Sequence, residues 1–249
     1  MSRPFLTARW TNLVLANYRA PAELLRPHVP PGSELDTPDG TPDLYLVSVV
    51  AFRFSALRVL GLPLPTAQDF PEVNLRFYVR RGGRRATVFL DEYVPTRAVV
   101  LGARLLYNQP YHLATISHRA RVDADAITVE TTFRRAAQRG EIRLRAANQP
   151  TTPDETSLEH FLKEHYWGFD RGRRGTSFRY RVDHPVWRTY PVEEQYVGID
   201  PATLGDERWQ GIDWGDQLHS VLFAEGSAVT VYAAEPLIGP HDPEPPAGS

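Results

Sequence analysis

Short segments in which apolar and polar residues alternate occur along most of the chain, and turn-forming residues separate them at fairly regular spacing. The clearest segments lie at 127–133, 141–146, 177–182 and 228–233. Alternation with a period of two turns one face of a strand towards a core and the other towards a polar environment. Many such strands, with few helical segments between them, favour an antiparallel sheet over alternating strand–helix units.

A tight turn joins two of the apolar segments. Residues 73–79 (VNLRFYV) and 86–94 (ATVFLDEYV) lie on either side of the sequence RRGGRR. The pair Gly82-Gly83 supplies the positive φ angles that a two-residue hairpin turn requires. The pattern therefore predicts a β-hairpin centred on these glycines.

Helical periodicity is limited to a few segments. The spacing predicts a helix over 156–169, with Lys163 on its exposed face and an ordinary pKa for that amine. A second helix is predicted over 97–107 and a short helical turn over 21–29. Thr156 and Glu159 form a capping-box pattern at the start of the first helix. The residues on its apolar face are Leu158, Phe161, Leu162, His165 and Phe169. A curved sheet or closed barrel with two or three peripheral helices follows, a shape that can enclose a small ligand.

Length and composition favour one domain over residues 1–238, followed by a disordered Pro-rich tail at 239–249. The net charge of −2 argues against a nucleic-acid partner. The chain has no cysteine, which excludes disulfides and thiol nucleophiles. The longest apolar run, residues 44–52, is too short for a membrane helix, and no signal-peptide pattern is present, so we expect a cytoplasmic protein without a membrane partner. The oligomeric state stays open.

One strand has an entirely polar face. Glu72, Asn74, Arg76 and Tyr78 alternate with four apolar residues. This face could point to solvent, with its charges paired along the strand, or it could line a cavity. In a cavity, the acid, amide, guanidinium and phenol could orient a carbonyl or carboxylate ligand.

Polar residues also crowd the junction after the second predicted helix. Asn108, Gln109, Tyr111 and His112 surround Pro110, between two apolar runs. Turns favour Gly, Asp and Ser, whereas Tyr and His can line a pocket and take part in proton transfer there. The alternative is that Tyr111 and His112 only cap the end of a barrel.

Familiar chemical motifs are absent from the sequence. It has no P-loop, no dinucleotide-binding glycine pattern, no nucleophile elbow and no zinc-protease motif. His160 and His165 are five residues apart and do not share a helix face, so we expect neither a metal nor a cofactor. Trp209 and Trp214 are interpreted as structural aromatic residues at a barrel end, with a ligand clamp as the alternative.

Three segments together resemble a known family. The DUF2071 (YqjF-like) family, which is related to acetoacetate decarboxylase, is similar to this chain at residues 16–40, 70–80 and 102–114 (GARLLYNQPYHLA). A weaker similarity is found in HPVW at 184–187. The resemblance implies the acetoacetate decarboxylase-like fold, an α+β and predominantly antiparallel cone or barrel around a central cavity.

The resemblance also implies a site. Acetoacetate decarboxylases carry a glycine-arginine stretch, then a proline and two adjacent lysines, one of which forms a Schiff base with the substrate. In this chain Tyr111 and His112 stand at the lysine positions, and Glu72 matches an acidic residue of the cavity. These three are the candidate catalytic residues. The candidate ligand-binding residues are Asn74, Arg76, Arg104 and Asn108.

Loss of both lysines changes the expected chemistry. Lys163 is the one lysine in the chain and is predicted to face solvent, so we expect no imine-dependent decarboxylation. Two functions stay open: an acid–base enzyme that enolises, hydrates or hydrolyses a small oxo or carboxylate compound, and a non-catalytic small-molecule-binding protein. Arg76 in a cavity is predicted to favour an anionic or strongly polar carbonyl ligand.

Overall fold

Antiparallel strands make up most of the fold. The computed structural model describes residues 4–64, 68–106, 111–171 and 177–237, with the backbone alone at 103–106 and 171. The strands in these ranges are β1 (Pro4–Arg19), β2 (Glu34–Leu35), β3 (Leu46–Val59), β4 (Leu62–Pro63), β5 (Phe70–Arg81), β6 (Arg84–Val94), β7 (Tyr111–Leu113), β8 (Thr115–Val122), β9 (Ala126–Arg135), β10 (Gln138–Ala147), β11 (Trp167–Arg171), β12 (Ser177–Asp183), β13 (Thr189–Tyr190), β14 (Val192–Val197), β15 (Leu218–Tyr232) and β16 (Glu235–Pro236).

Helices are short and few in the same ranges. The α-helices are α1 (Ala22–Leu25), α2 (Arg97–Leu106), α3 (Leu158–Lys163), α4 (Pro201–Leu204) and α5 (Trp214–Gln217), and short 3₁₀ helices lie at Arg26–His28 and Glu207–Trp209. None of these described helices combines the length and the apolar character needed to cross a membrane. The predicted tail at 239–249 lies outside the described residues.

Seven strands close into a ring. Their order is β15–β1–β3–β5–β6–β11–β12, and β12 pairs again with β15 through Val182↔Val231 and Asp183↔Thr230. The neighbours in the ring are antiparallel except β6 and β11, which are parallel. Closing the sheet leaves an interior that side chains or a ligand must fill.

A second, four-stranded sheet with the order β14–β10–β9–β8 is wholly antiparallel. Its apolar face, including Val129, Phe133 and Leu144, packs with outward-facing ring residues such as Val49 and Leu75 in one buried cluster. A separate cluster fills the ring interior. The two cores lie on opposite faces of the ring strands, which explains why those strands are apolar on both faces along much of their length.

The predicted hairpin and two of the predicted helical segments are confirmed. Gly82 and Gly83 have φ angles of 54° and 80° and join β5 to β6. Helix α2 begins at Arg97, as the spacing predicted, and residues 21–29 contain α1 and a 3₁₀ turn. Trp209 and Trp214 are 1% and 2% exposed and belong to the cluster outside the ring, so the ligand-clamp interpretation is wrong.

The helix predicted over 156–169 is shorter than expected. It ends at Lys163, where Glu164 leaves the helical region with φ −96° and ψ 67°, and Trp167–Arg171 forms strand β11 instead. Ser157, rather than Thr156, caps it by accepting a hydrogen bond from the His160 amide. Gly168 suits the strand because a β-carbon there would come within 2.5 Å of the Tyr180 ring. Tertiary packing therefore overrides the helical spacing.

Candidate functional site

The polar face of β5 points into the ring. Glu72, Asn74 and Arg76 line an interior cavity and are only 2%, 2% and 9% exposed. The alternating residues Val73 and Leu75 face outwards and pack with the second sheet. The interpretation that this face points to solvent is therefore wrong.

A β-bulge in β6 adds a second carboxyl group to the same face. Asn74 pairs with Glu92 and Arg76 pairs with Phe89, so two positions that are two apart on β5 face two positions that are three apart on β6. The extra residue lets Phe89 and Glu92 both face the cavity, although their spacing in a regular strand would place them on opposite faces. Glu92 is 3% exposed.

Strand β7 turns Tyr111 and His112 to opposite faces of the ring. It runs parallel to β6, with Tyr111 beside Glu92 and His112 beside Tyr93. Successive residues of a strand point to opposite faces. Tyr111 therefore lines the cavity, whereas His112 lies on the outer face of the ring.

The cavity has a volume of about 280 Å³, close to the lower end of the range for small-molecule sites. Aliphatic and aromatic side chains form most of its wall, and the polar groups gather in one region. The polar lining residues are Glu72, Asn74, Arg76, Glu92, Tyr111 and Tyr180.

Two neighbours hold the Glu72 carboxylate in place. The Asn74 Nδ2 group donates to Oε1 at 3.1 Å, and the Tyr111 hydroxyl donates to Oε2 at 3.1 Å. Arg76 donates through Nη2 to the Leu162 carbonyl at 2.9 Å, so α3 fixes the guanidinium beside the cavity. Glu92 Oε2, Asn74 Oδ1 and Arg76 Nε are buried and have no hydrogen-bond partner among the described residues.

Burial dominates the electrostatics of this region. It raises the pKa of Glu72 to about 7, against the hydrogen bonds from Asn74 and Tyr111 and with a further upward contribution from the charge of Asp170. Burial also raises the pKa of Glu92 well above its usual range, and the charges of Asp170 and Glu72 raise it further. Each carboxyl makes ionisation of the other harder. The cavity thus holds two carboxyl groups whose protonated forms are favoured by burial, and Glu72 changes charge near neutral pH.

His112 does not join this cavity, which corrects the expectation that it shares a site with Glu72, Arg76 and Tyr111. Its Nε2 lies 2.9 Å from Asp91 Oδ1, its ring stacks on Tyr93 with centroids 5.2 Å apart, and its Nδ1 is 3.5 Å from Arg135 on the second sheet. The reason is the two-residue period of β7, which sends His112 away from Tyr111. Direct contact of His112 with a ligand in the cavity is therefore excluded.

The profile of the DUF2071 family, described as an uncharacterized conserved protein, matches residues 7–228. The chain belongs to the DUF2071 family. A relative, the uncharacterized protein YqjF of Bacillus subtilis (strain 168), is 33% identical in an alignment of 201 residues that covers 78% of this chain and 78% of that protein.

Solved structures with the same fold are more distant in sequence. An acetoacetate decarboxylase-like enzyme from Sphingomonas wittichii RW1 superimposes with a TM-score of 0.64 at 12% identity, over 94% of both chains. The enduracididine biosynthesis enzyme MppR, complexed with the condensation product of pyruvate and imidazole 4-carboxaldehyde, gives a TM-score of 0.66 at 12% identity, over 97% of this chain and 92% of that one. This DUF2071 member therefore has the acetoacetate decarboxylase-like fold that the sequence resemblance implied.

Two predicted ligand-binding residues fall outside the description. The side chain of Arg104 is not among the described groups, although the backbone of α2 is, and Asn108 lies in the gap at 107–110. Both remain predictions. Gly102, on the same helix as Arg104, lines the cavity.

Lys163 of this DUF2071 chain is buried, which corrects the prediction that it faces solvent. Its side chain is fully buried and donates to Glu164 Oε1, and burial lowers the pKa of its amine against the opposing effect of Glu164. Because α3 ends at Lys163, the helical spacing does not determine the direction of this side chain. Lys163 is nevertheless not among the residues that line the cavity.

We expect no covalent imine between this protein and acetoacetate, because the amine of Lys163 is paired with Glu164 away from the cavity. Incubation with acetoacetate and borohydride, followed by intact mass and peptide mapping, should give no saturable adduct on Lys163. Saturable labelling of Lys163 together with release of carbon dioxide, both lost in Lys163→Arg, would show the prediction to be wrong.

Sequence reasoning missed three groups of the polar region. Glu92 was missed because the bulge changes the face to which it points, and Asp170 directly followed the helix predicted over 156–169, in a segment that instead forms β11. Tyr180 was in a segment recognised only as a half-buried strand. The alternation in SFRYRV predicted only an apolar and a polar face, and the closed ring is what brings β12 near β5 and β6.

Proposed function

We propose that this protein is an enzyme that moves a proton at the carbon next to the carbonyl group of a small oxo compound, without a covalent imine. Glu72 is the base in this proposal. The observation that carries it is the position of Glu72, a buried carboxyl at the cavity surface whose two oxygens are held by Asn74 and Tyr111. A base with a pKa near the working pH combines the ionised form with useful proton affinity.

Hydrogen-bond donors for the carbonyl oxygen lie on the neighbouring strands. Burial raises the pKa of Tyr111 and Tyr180 well above the usual range of a phenol, so both keep their protons at neutral pH. Burial also raises the pKa of Glu92, which favours its protonated form. Donors placed before the reaction stabilise the negative charge that develops on an enolate oxygen. A neutral carboxylic acid in an apolar site is an effective donor of this kind. Glu92 is assigned this role, with Tyr111 orienting Glu72.

The proposal is tested by hydrogen exchange in deuterated water, followed by proton NMR on acetone, cyclohexanone, benzylacetone and pyruvate. At least one compound should exchange faster with protein than with buffer, and Glu72→Gln should lower that rate by about 10²–10⁴-fold. The rate should rise with pH through about 7, as Glu72 loses its proton. Glu193→Gln, at an exposed ion pair with Arg145, is the control and should leave the rate unchanged.

A second function, non-catalytic binding of a small molecule, is favoured by the apolar wall of the same cavity. The two functions give different results. Ligands that raise the melting temperature but show no protein-dependent exchange would contradict the enzyme and support the binding protein. Exchange that is unchanged in Glu72→Gln would contradict Glu72 as the base.

A further inference from the structure

The wall of the cavity is built from aromatic rings in contact with one another. Trp10 lies against Phe52 and Phe54, with ring centroids 5.4 Å and 5.6 Å apart, and Phe54 stacks on Phe70 at 4.9 Å. All four rings line the cavity. Such a surface favours a flat or branched hydrocarbon body through dispersion and desolvation.

The polar region of the cavity is poorly suited to an anion. Two carboxyl groups, Glu72 and Glu92, line it, and Arg76 is the single guanidinium among the described lining side chains. When Glu72 is ionised as a base, Arg76 already balances its charge. A ligand carboxylate would add a second negative charge in a region with little water, where like charges repel strongly.

Arg76 is already engaged by the protein. Its Nη2 group donates to the Leu162 carbonyl, and its charge lowers the pKa of Glu72. Its Nε group is buried and has no hydrogen-bond partner among the described residues, so it can donate to the oxygen of a carbonyl ligand. The guanidinium therefore supplies a donor for a carbonyl oxygen while its charge offsets that of Glu72.

The chain beside the cavity exposes apolar side chains. Val59 and Leu64 line the cavity, and between them Leu60 and Leu62 are 69% and 71% exposed. Leu101, on the helix whose residue Gly102 also lines the cavity, is 60% exposed. Exposed apolar surface of this kind accompanies sites that take up apolar ligands.

We propose that the substrate is a neutral ketone with an aromatic or branched hydrocarbon body, and that anionic 2-oxo acids are disfavoured. The inference rests on the proposed function, because it names the substrate class of the same cavity. The sequence predicted that Arg76 favours an anionic or strongly polar carbonyl ligand, and the inference keeps the polar carbonyl and drops the anion. The carboxyl groups of Glu72 and Glu92 favour a neutral head group over an anionic one, and the aromatic wall binds the hydrocarbon part of the ligand.

The test uses three compounds with one body and different head groups. Benzylacetone is the neutral ketone, benzylpyruvate replaces its methyl group by a carboxylate, and the corresponding amine replaces the carbonyl oxygen by an ammonium group. Dissociation constants are measured by calorimetry at neutral pH. Benzylacetone should bind at least about ten-fold more tightly than benzylpyruvate. The variant Glu72→Gln/Glu92→Gln should reduce that ratio, whereas Glu193→Gln should not.

The outcomes separate this inference from the proposed function. Tighter binding of benzylpyruvate or of the amine, or no binding of any of the three, would overturn the substrate class. Preferential binding of benzylacetone without protein-dependent hydrogen exchange would support the class and contradict the enzyme. Exchange that is faster on benzylpyruvate than on benzylacetone would support the enzyme and overturn the class.

Discussion

Replacing Glu164 by glutamine is expected to destabilise the protein by roughly 3–5 kcal/mol, because it leaves the buried ammonium group of Lys163 without the carboxylate that is paired with it. Both side chains are fully buried. Glutamine has nearly the same shape and can still accept from the Trp187 amide, which lies 3.1 Å from Glu164 Oε1. The effect is therefore mainly electrostatic, and the unfolding free energy in urea measures it.

A double-mutant cycle isolates the ion pair from packing. Lys163→Met alone leaves Glu164 with the Trp187 amide and the Tyr166 hydroxyl, the latter at 3.1 Å from Oε2. The double variant Lys163→Met/Glu164→Gln should recover part of the loss, since neither charge is then buried. Glu193→Gln at the exposed pair with Arg145 should cost less than about 1 kcal/mol. A Glu164→Gln variant as stable as this control would contradict the prediction.

Much of the sheet could be predicted from the sequence because the patterns that identify its strands and turns are local. Period-two alternation identified β9, β10, β12 and β15, and the Gly82-Gly83 pair identified the hairpin between β5 and β6. Each signal depends on neighbours a few residues apart, which any folded arrangement must respect.

The site could be predicted only in part from the sequence, because its residues come from strands that are far apart in the chain. The alternation in β5 correctly grouped Glu72, Asn74 and Arg76, but whether they faced water depended on the closure of the ring. One bulge in β6 determined that Glu92 joins them. His112 was wrongly included in the site. The family resemblance placed it beside Tyr111, but successive residues of β7 point to opposite faces of the strand.

The stability of the folded protein is expected to fall as the pH rises towards about 7, because Glu72 is buried. Burial raises the pKa of Glu72 to about 7 in the folded protein, whereas the unfolded chain has a carboxyl with a pKa of about 4.3. Between these values the folded state holds a proton that the unfolded state has released, so stability falls as pH rises through the window. The contribution of Glu72 is fully present below the unfolded pKa and is lost as pH passes about 7.

Glu72→Gln should remove this dependence, since glutamine stands in for the protonated carboxyl at every pH. The variant and the wild type should differ little at about pH 4, and the variant should be more stable by on the order of 3 kcal/mol at about pH 8. Urea unfolding at several pH values measures the difference between the two proteins, in which other titrating groups, including His118 with its pKa lowered to about 4 by burial, largely cancel. For the control Glu193→Gln, the difference in unfolding free energy from the wild type should not change with pH. A Glu72→Gln curve parallel to the wild type over this range would mean that Glu72 keeps an ordinary pKa in the folded protein, and the same result would remove the basis for its role as a base near neutral pH.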